Sequence, residues 1–396
     1  MASHNQTLLR QTLERSIHRL LRAGKVFAVV AWDFEPFELP PGSLPSSWSM
    51  KLVRVVNAVY SVAVIAMVLT ATVTHEPGRI STKFFAIRLL YLAEDASVNV
   101  IVLLAVFGSR FLRAFSSTFY KTLVSLGHRL HGCGALIEIH QLEKIIGRLL
   151  LVSVLYFIIV SSLAYLLLQA TEPPYCFVCR IVLYILPSVM QMIVLYQHFA
   201  MQWTIYHCYR SINVVLKRKV TPTIRRTGHN DAHFLDVLRK THLKLHHLSV
   251  RVNDHFGPLT VCTVLSSIVV LILQLFNIYK LTTARGVWII NYGLKLTYIL
   301  LWTTLHCAKV LLILYPIHRG RLERDLTGPI LYGTAQDSSD STDNEALMRF
   351  SGQLLHCSGH HTACGLITLD LALVSKMLAA LTTYLVILIQ FDSAFT

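Results

Sequence analysis

A chain of 396 residues with 36 Lys and Arg against 21 Asp and Glu carries a net charge of +15, yet only 14% of it is charged and 54% is apolar. Its mean hydropathy is +0.54. A globular domain holds about 25% charged and about 45–50% apolar residues, so this composition excludes an ordinary soluble protein, and 18 Gly, 12 Pro and 10% aromatics exclude disorder and collagen. A membrane protein remains.

The first elements in chain order are basic and amphipathic. Residues 1–24 place Leu9, Leu13, Ile17 and Leu20 at helical spacing and hold Arg10, Arg15 and Arg19 without an uninterrupted apolar core, so an amphipathic helix is expected and a cleavable signal peptide is not. The apolar run 26–32 is too short to cross and is expected at the membrane interface or beneath the first span. Windows of about 20 apolar residues then fall at 52–73, 84–108, 149–170, 181–206, 259–279, 287–314 and 366–391. The fold class that follows is an all-α membrane protein with seven transmembrane helices: residues 1–48 form an N-terminal helix and linker, 49–391 the membrane domain and 392–396 a tail.

Cytoplasmic loops accumulate Lys and Arg. Segments 1–48, 109–148, 209–256 and 315–365 together hold 25 of these residues, against 5 in the alternate segments. The N-terminus is therefore expected in the cytoplasm and the C-terminus outside. The same dispersal along lipid-facing loops argues against nucleic acid as a partner. Residues 231–256 alternate Leu235, Leu238, Leu243, Leu245, Leu248 and Val252 with Arg239, Lys240, Lys244 and Arg251, which predicts a helix carrying the fifth span beyond the membrane. Breaks are expected at Thr221–Asp231 and, as a flexible linker, at Thr327–Glu345. No internal repeat supports a transporter of the inverted-repeat kind.

Among chemistry-bearing residues, Cys176 and Cys179 read as a local disulfide or two free thiols rather than half of a zinc site. His356, Cys357, His360, His361 and Cys364 have one-turn spacings, but Ser358 and Gly359 interrupt the helix and no carboxylate is near, so packing at a helix junction is the reading and no metal is expected. No G-x-S-x-G, H-E-x-x-H, Walker loop or dinucleotide fingerprint occurs, so neither an enzyme nor a cofactor is expected. Glu94 and Asp95 lie near mid-depth of the second span, where a charge must pair or face water. Lys295 and Arg88 are their expected partners, while Lys309, near the inner end of the sixth span, is expected to snorkel. Tyr91, Tyr165, Tyr184, Tyr298 and Trp302 join amides in the outer halves of the spans, the composition of a small-molecule site. Tyr91, Glu94, Tyr165, Tyr298 and Trp302 are the candidate ligand contacts.

The last span ends Thr383-Tyr384-Leu385-Val386-Ile387-Leu388-Ile389-Gln390-Phe391. Thr383 and Gln390, and Tyr384 and Phe391, are seven apart and share faces. Thr-Tyr, five apolar residues and Gln-Phe closing a seventh span, preceded by Thr362-Ala363-Cys364-Gly365 and Leu369-Asp370, resemble the signature of insect gustatory receptors. Weaker similarity runs from His242 to Gly257. Leu385 stands where the main sugar-receptor branch of that family has Glu, which sets this chain apart from the branch.

The resemblance implies a homotetrameric, ligand-gated, nonselective cation channel in the plasma membrane of a sensory neuron. Each last helix would line a central pore, with permeating cations and membrane lipid as further partners. Thr383, Tyr384, Ile387, Gln390 and Phe391 are then the pore and gate candidates, and Asp392 would form an acidic ring at the outer mouth. A bitter compound or a fructose-type sugar is the tastant class implied. A G-protein-coupled receptor would need the opposite orientation and lacks its Asp-Arg-Tyr and Asn-Pro-x-x-Tyr motifs here; a transporter is supported only by the intramembrane charges.

Overall fold

The computed structural model describes residues 2–30, 47–74, 85–135, 137, 140–169, 174–220, 231–283, 292–335, 341–357, 359 and 361–395. They are helical almost throughout: α1 (Ala2–Val26), α2 (Ser47–Thr74), α3 (Phe85–Gly132), α4 (His140–Gln169), α5 (Pro174–Arg180), α6 (Leu186–Val220), α7 (Asp231–Thr283), α8 (Tyr292–Ala335), α9 (Ser341–His356) and α10 (Ala372–Phe395). Among the described residues, seven helical stretches are long and apolar enough to cross a bilayer, with α5 and α6 sharing one. Most of the expected break at 221–231 and the start of the sixth window, 287–291, lie outside the described residues.

Several helices outrun their apolar windows. At about 1.5 Å per residue, the 48-residue α3, 53-residue α7 and 44-residue α8 exceed a hydrocarbon core of about 30 Å. Their extensions gather beyond the membrane, where water makes apolar burial a driving force that lipid does not supply. Leu238, Leu245 and Val252, seven apart on α7, are fully buried there, beside the equally buried Phe350 of α9. The linker expected at Thr327–Glu345 is instead mostly helix, α8 running to Ala335 and α9 starting at Ser341. Tertiary contact overrides its polar composition: Thr327 Oγ1 donates to Asn213 Oδ1 of α6 at 2.8 Å, and Asn213 Nδ2 donates to the Glu323 carbonyl at 2.7 Å.

α1 lays Leu13, Ile17 and Leu20 into the main core rather than onto a membrane surface. The short apolar run after it is buried too, at Ala28, Val29 and Val30, and Tyr60 of α2 donates its hydroxyl to the Val26 carbonyl at 2.6 Å. α6 is the central element, buried without interruption from Met190 to Gln202. A π-helical turn, Ile181–Ile185, joins α5 to it. Pro187 lacks the N–H that the Leu183 carbonyl would accept, and the ladder widens just ahead of it, with the Leu186 N–H bonded to the Ile181 carbonyl.

The last window also differs from expectation. Residues 366–371 are not helical; β1 (Thr362–Ala363) and β2 (Ile367–Thr368) pair antiparallel, Thr362 opposite Thr368 and Ala363 opposite Ile367. Cys364 and Gly365 turn the chain with φ of 53° and 69°, left-handed values incompatible with a continuing helix. Asp370 then accepts the Leu373 N–H at 3.1 Å and caps α10. The hairpin rests on α7 at Gly257, where a Cβ would lie 3.0 Å from Cys364 Sγ and 3.1 Å from the Cys364 backbone nitrogen.

Gly257→Val should therefore displace the hairpin and cost roughly 1–3 kcal/mol, the usual range for overpacking. A clear fall in melting temperature of the detergent-solubilised receptor is expected. Gly352→Ala, where an added Cβ meets nothing within 4 Å, should leave the melt unchanged or raise it.

Candidate functional site

Four of the five ligand candidates converge. Tyr91 and Glu94 lie one turn apart on α3, and Tyr298 and Trp302 one turn apart on α8. The Tyr91 hydroxyl meets Asn277 of α7, and Glu94 lies in the electrostatic field of both Tyr298 and Lys309. The Tyr298 and Trp302 rings meet edge to face with centroids 6.2 Å apart, and Trp302 is buried. Tyr165 is placed elsewhere: it is 48% exposed on α4 and packs edge to face on Phe177 at 5.3 Å.

The charges pair differently from the sequence expectation. Lys309 does not snorkel; it is 1% exposed, its Nζ 3.4 Å from Ser188 Oγ of α6, facing Glu94. Asp95 accepts the hydroxyl of Tyr184, which lies in the π-helical turn, at 3.0 Å. One turn beyond Trp302, His306 places its ring 6.1 Å away and bonds Ser267 of α7 through Nδ1 at 3.2 Å. Sequence reasoning named Tyr184 among the outer aromatics without making it a ligand contact, and it left His306 and Lys309 out of the site. The stripe 298-302-306-309 on one face of α8 was the signal that could have found the last two.

A ladder of polar groups continues along α6 and α7. Gln191 donates to Thr263 Oγ1 at 2.9 Å, Gln202 to Asn253 Oδ1 at 2.8 Å, and Ser249 to Gln202 Oε1 at 3.0 Å, while His198 lies 3.2 Å from Asn253 Oδ1. Beyond it, the histidine and cysteine cluster singled out in sequence disperses. His361 packs 6.3 Å from the His246 ring, Cys364 turns to Gly257, and His356 is exposed at the end of α9. His360 lies outside the described residues. Burial holds the His361 imidazole at about 3, with Arg324, His246, Arg321 and His198 pushing in the same direction.

On α10 the pore candidates share a common circumstance. Met377, Leu381 and Leu388 are buried, the last two with Leu271, Ile272 and Phe276 of α7. Thr383, Tyr384, Ile387, Gln390 and Phe391 are exposed on the faces left over. Asp392, expected to stand free in an acidic ring, is buried and paired with Lys280 of α7.

Seven spans, a polar and aromatic cluster between α3, α6, α7 and α8, and a last helix with an uncovered polar stripe define a multi-pass membrane receptor. The family model for the seven-transmembrane chemosensory receptors matches residues 17–395, and the chain belongs to that family. Two Drosophila melanogaster proteins are similar over part of it: putative gustatory receptor 28b, 34% identical over 89 residues, and the gustatory receptor for sugar taste 43a, 32% identical over 93 residues. Those alignments span 22% and 24% of this chain and only 19% and 22% of the relatives' own lengths. Solved structures of the insect olfactory receptor OR5 from Machilis hrabei match 98% of this chain and all of theirs at 12% identity. Their TM-scores are 0.63 for the complex with eugenol and 0.66 for a second structure of the same receptor. At that identity the likeness shows the fold alone.

A charge within a membrane span is costly unless another offsets it, and the half-buried Glu94 supplies that offset to the buried Lys309. Lys309→Met alone should thus sharply reduce the folded receptor recovered from membranes, and the double variant Glu94→Gln, Lys309→Met should recover most of it, as read by fluorescence-detected gel filtration.

The neutral His361 predicts a pH dependence. An unfolded histidine titrates near 6.5, so below that pH the unfolded chain takes up a proton that the folded one refuses. The stability that His361 contributes is present above pH 6.5 and is lost as pH falls towards about 3. The limiting slope is about 1.4 kcal/mol per pH unit. His361→Gln should flatten the fall in melting temperature between pH 6.5 and 4.5.

Proposed function

We propose that this chemosensory receptor is a tastant-gated cation channel, with ligand held between α3, α6, α7 and α8 and ions passing along α10 in a homotetramer. The observation that carries the reading is the division of α10 into a face buried on α7 and a face on which Thr383 and Gln390 are uncovered. Polar side chains in a membrane need a partner or water. The Thr383 hydroxyl already donates to the Ala379 carbonyl at 3.0 Å; a second, third and fourth copy of the helix around an aqueous axis would satisfy the Gln390 amide, with the apolar Ile387 and Phe391 supplying a ring that closes by dewetting. Asp392 then acts through Lys280, fastening the end of α10 to α7.

In the ligand site, Trp302 and Tyr298 offer stacking surfaces, Tyr91 a hydroxyl, and Glu94 an acceptor for ligand hydroxyl or amine groups. That composition suits a bitter compound or a sugar of the fructose type, and the partial similarity to a receptor named for sugar taste supports the latter. The distribution of basic residues supports a cytoplasmic N-terminus and an extracellular C-terminus, which opens the ligand site to the outside of a sensory neuron.

The test is current through the expressed receptor in cells lacking G-protein signalling, under a panel of bitter compounds and sugars. Trp302→Ala should raise the half-maximal concentration by about tenfold or more, equivalent to about 1.4 kcal/mol, with surface expression unchanged. Gln390→Ala should alter the permeability ratio of monovalent cations while the half-maximal concentration stays within about twofold, a difference below roughly 0.5 kcal/mol. Unaltered permeation in Gln390→Ala would place the pore on another helix.

A further inference from the structure

A cavity of about 440 Å³ lies away from the ligand site, where α3 and α7 pass the membrane boundary on the side of the helical extensions. That volume is within the range of about 300–1,000 Å³ typical of small-molecule sites. Leu104 and Gly108 of α3, Val194 of α6 and Phe256 and Leu259 of α7 form its walls, and the lining is mostly apolar. Its rim, with Phe107, Asp254 and Pro258, is exposed. Gly108 is the last residue of the second candidate span, so the opening faces the boundary between acyl chains and headgroups.

Two features of the rim select the occupant. Pro258 has no N–H to give to the Asp254 carbonyl, four residues back, so one backbone acceptor is released from the helix ladder beside the Asp254 carboxylate. One turn before that carboxylate on α7 stands Arg251, whose guanidinium lies 6.0 Å from the Phe115 ring on which His255 stacks at 4.6 Å. An anionic headgroup meets Asp254, and a cationic one meets Arg251. A neutral head that donates a hydrogen bond fits both acceptors, and an apolar body fits the walls.

We infer that this cavity binds a neutral membrane lipid whose head is a hydroxyl, a sterol being the compact form of that chemistry. The site is independent of the channel reading, since it rests on the cavity alone. Between Phe256 and Pro258, which line it, Gly257 seats Cys364 of the hairpin that leads into α10. Occupancy therefore braces the turn of α7 on which the last helix is mounted.

The experiment uses full-length receptor in phosphatidylcholine vesicles containing cholesterol with a diazirine and an alkyne, irradiated and mapped by peptide mass spectrometry. Adducts are expected within 104–108 or 254–259 and should be competed by unlabelled cholesterol. Gly108→Leu, whose side chain enters open space, should fill the cavity and reduce labelling there at least fivefold. Pro258→Ala, which restores the missing N–H and a regular helix, should reduce it with no loss of melting temperature. Labelling at these segments that neither variant changes would overturn the assignment, as would adducts from photoreactive phosphatidylserine that cholesterol fails to compete.

Discussion

Everything in this structure hangs on a helix buried on all sides that nevertheless carries hydrogen-bonding groups along its length. Gln191, His198 and Gln202 are buried, so they have to be answered by other helices, and Thr263, Asn253 and Ser249 of α7 answer them. Each bond fixes the rotation and depth of α7 relative to α6. Lipid tails are as apolar as leucine, so apolar packing alone specifies register weakly. Once α6 and α7 are registered, Ser188 and Ser267 are placed to receive Lys309 and His306 of α8. The ligand cluster follows from that three-helix arrangement.

The two ends of the molecule obey different physics. In the membrane, specificity comes from polar partners and close fit; beyond it, the extensions of α6, α7 and α8 with α9 bury Leu238, Leu245, Val252 and Phe350 from water. That part behaves as a small helical domain mounted on the spans. α7 belongs to both and is continuous across them, interrupted in its ladder only at Pro258. The next contact in the chain of consequence is Gly257 against Cys364, which ties this helix to the hairpin, to the cap at Asp370 and to α10. A single turn of α7 thus touches the membrane boundary, the lipid-facing cavity and the mount of the last helix.

The charged groups illustrate why burial has to be read with partners attached. Glu94 and Asp95 are adjacent in sequence yet have different environments: Asp95 accepts from Tyr184, and Glu94 faces Lys309 from across the bundle. Asp392, expected in an acidic ring at the outer mouth, is instead buried with Lys280. In each case the partner lies far away in sequence, on a helix whose rotation the hydropathy pattern leaves open.

The sequence by itself determined the class, the seven crossings and the basic asymmetry of the loops, because hydropathy over about 20 residues is a local property fixed by bilayer thickness. It also located the closing Thr-Tyr to Gln-Phe stripe and, among its five ligand candidates, the four that meet in the candidate site, since aromatic and polar groups one turn apart share a face wherever the helix lies. Only the tertiary structure decided that Lys309 turns inward, that Tyr165 does not join the other four, and that Thr327–Glu345 is mostly helix. It also revealed that Thr362–Gly365 is a hairpin turn. Those outcomes depend on Ser188, Phe177, Asn213 and Gly257, partners distant in the chain, and no local pattern records which of two faces of a helix such a partner will cover.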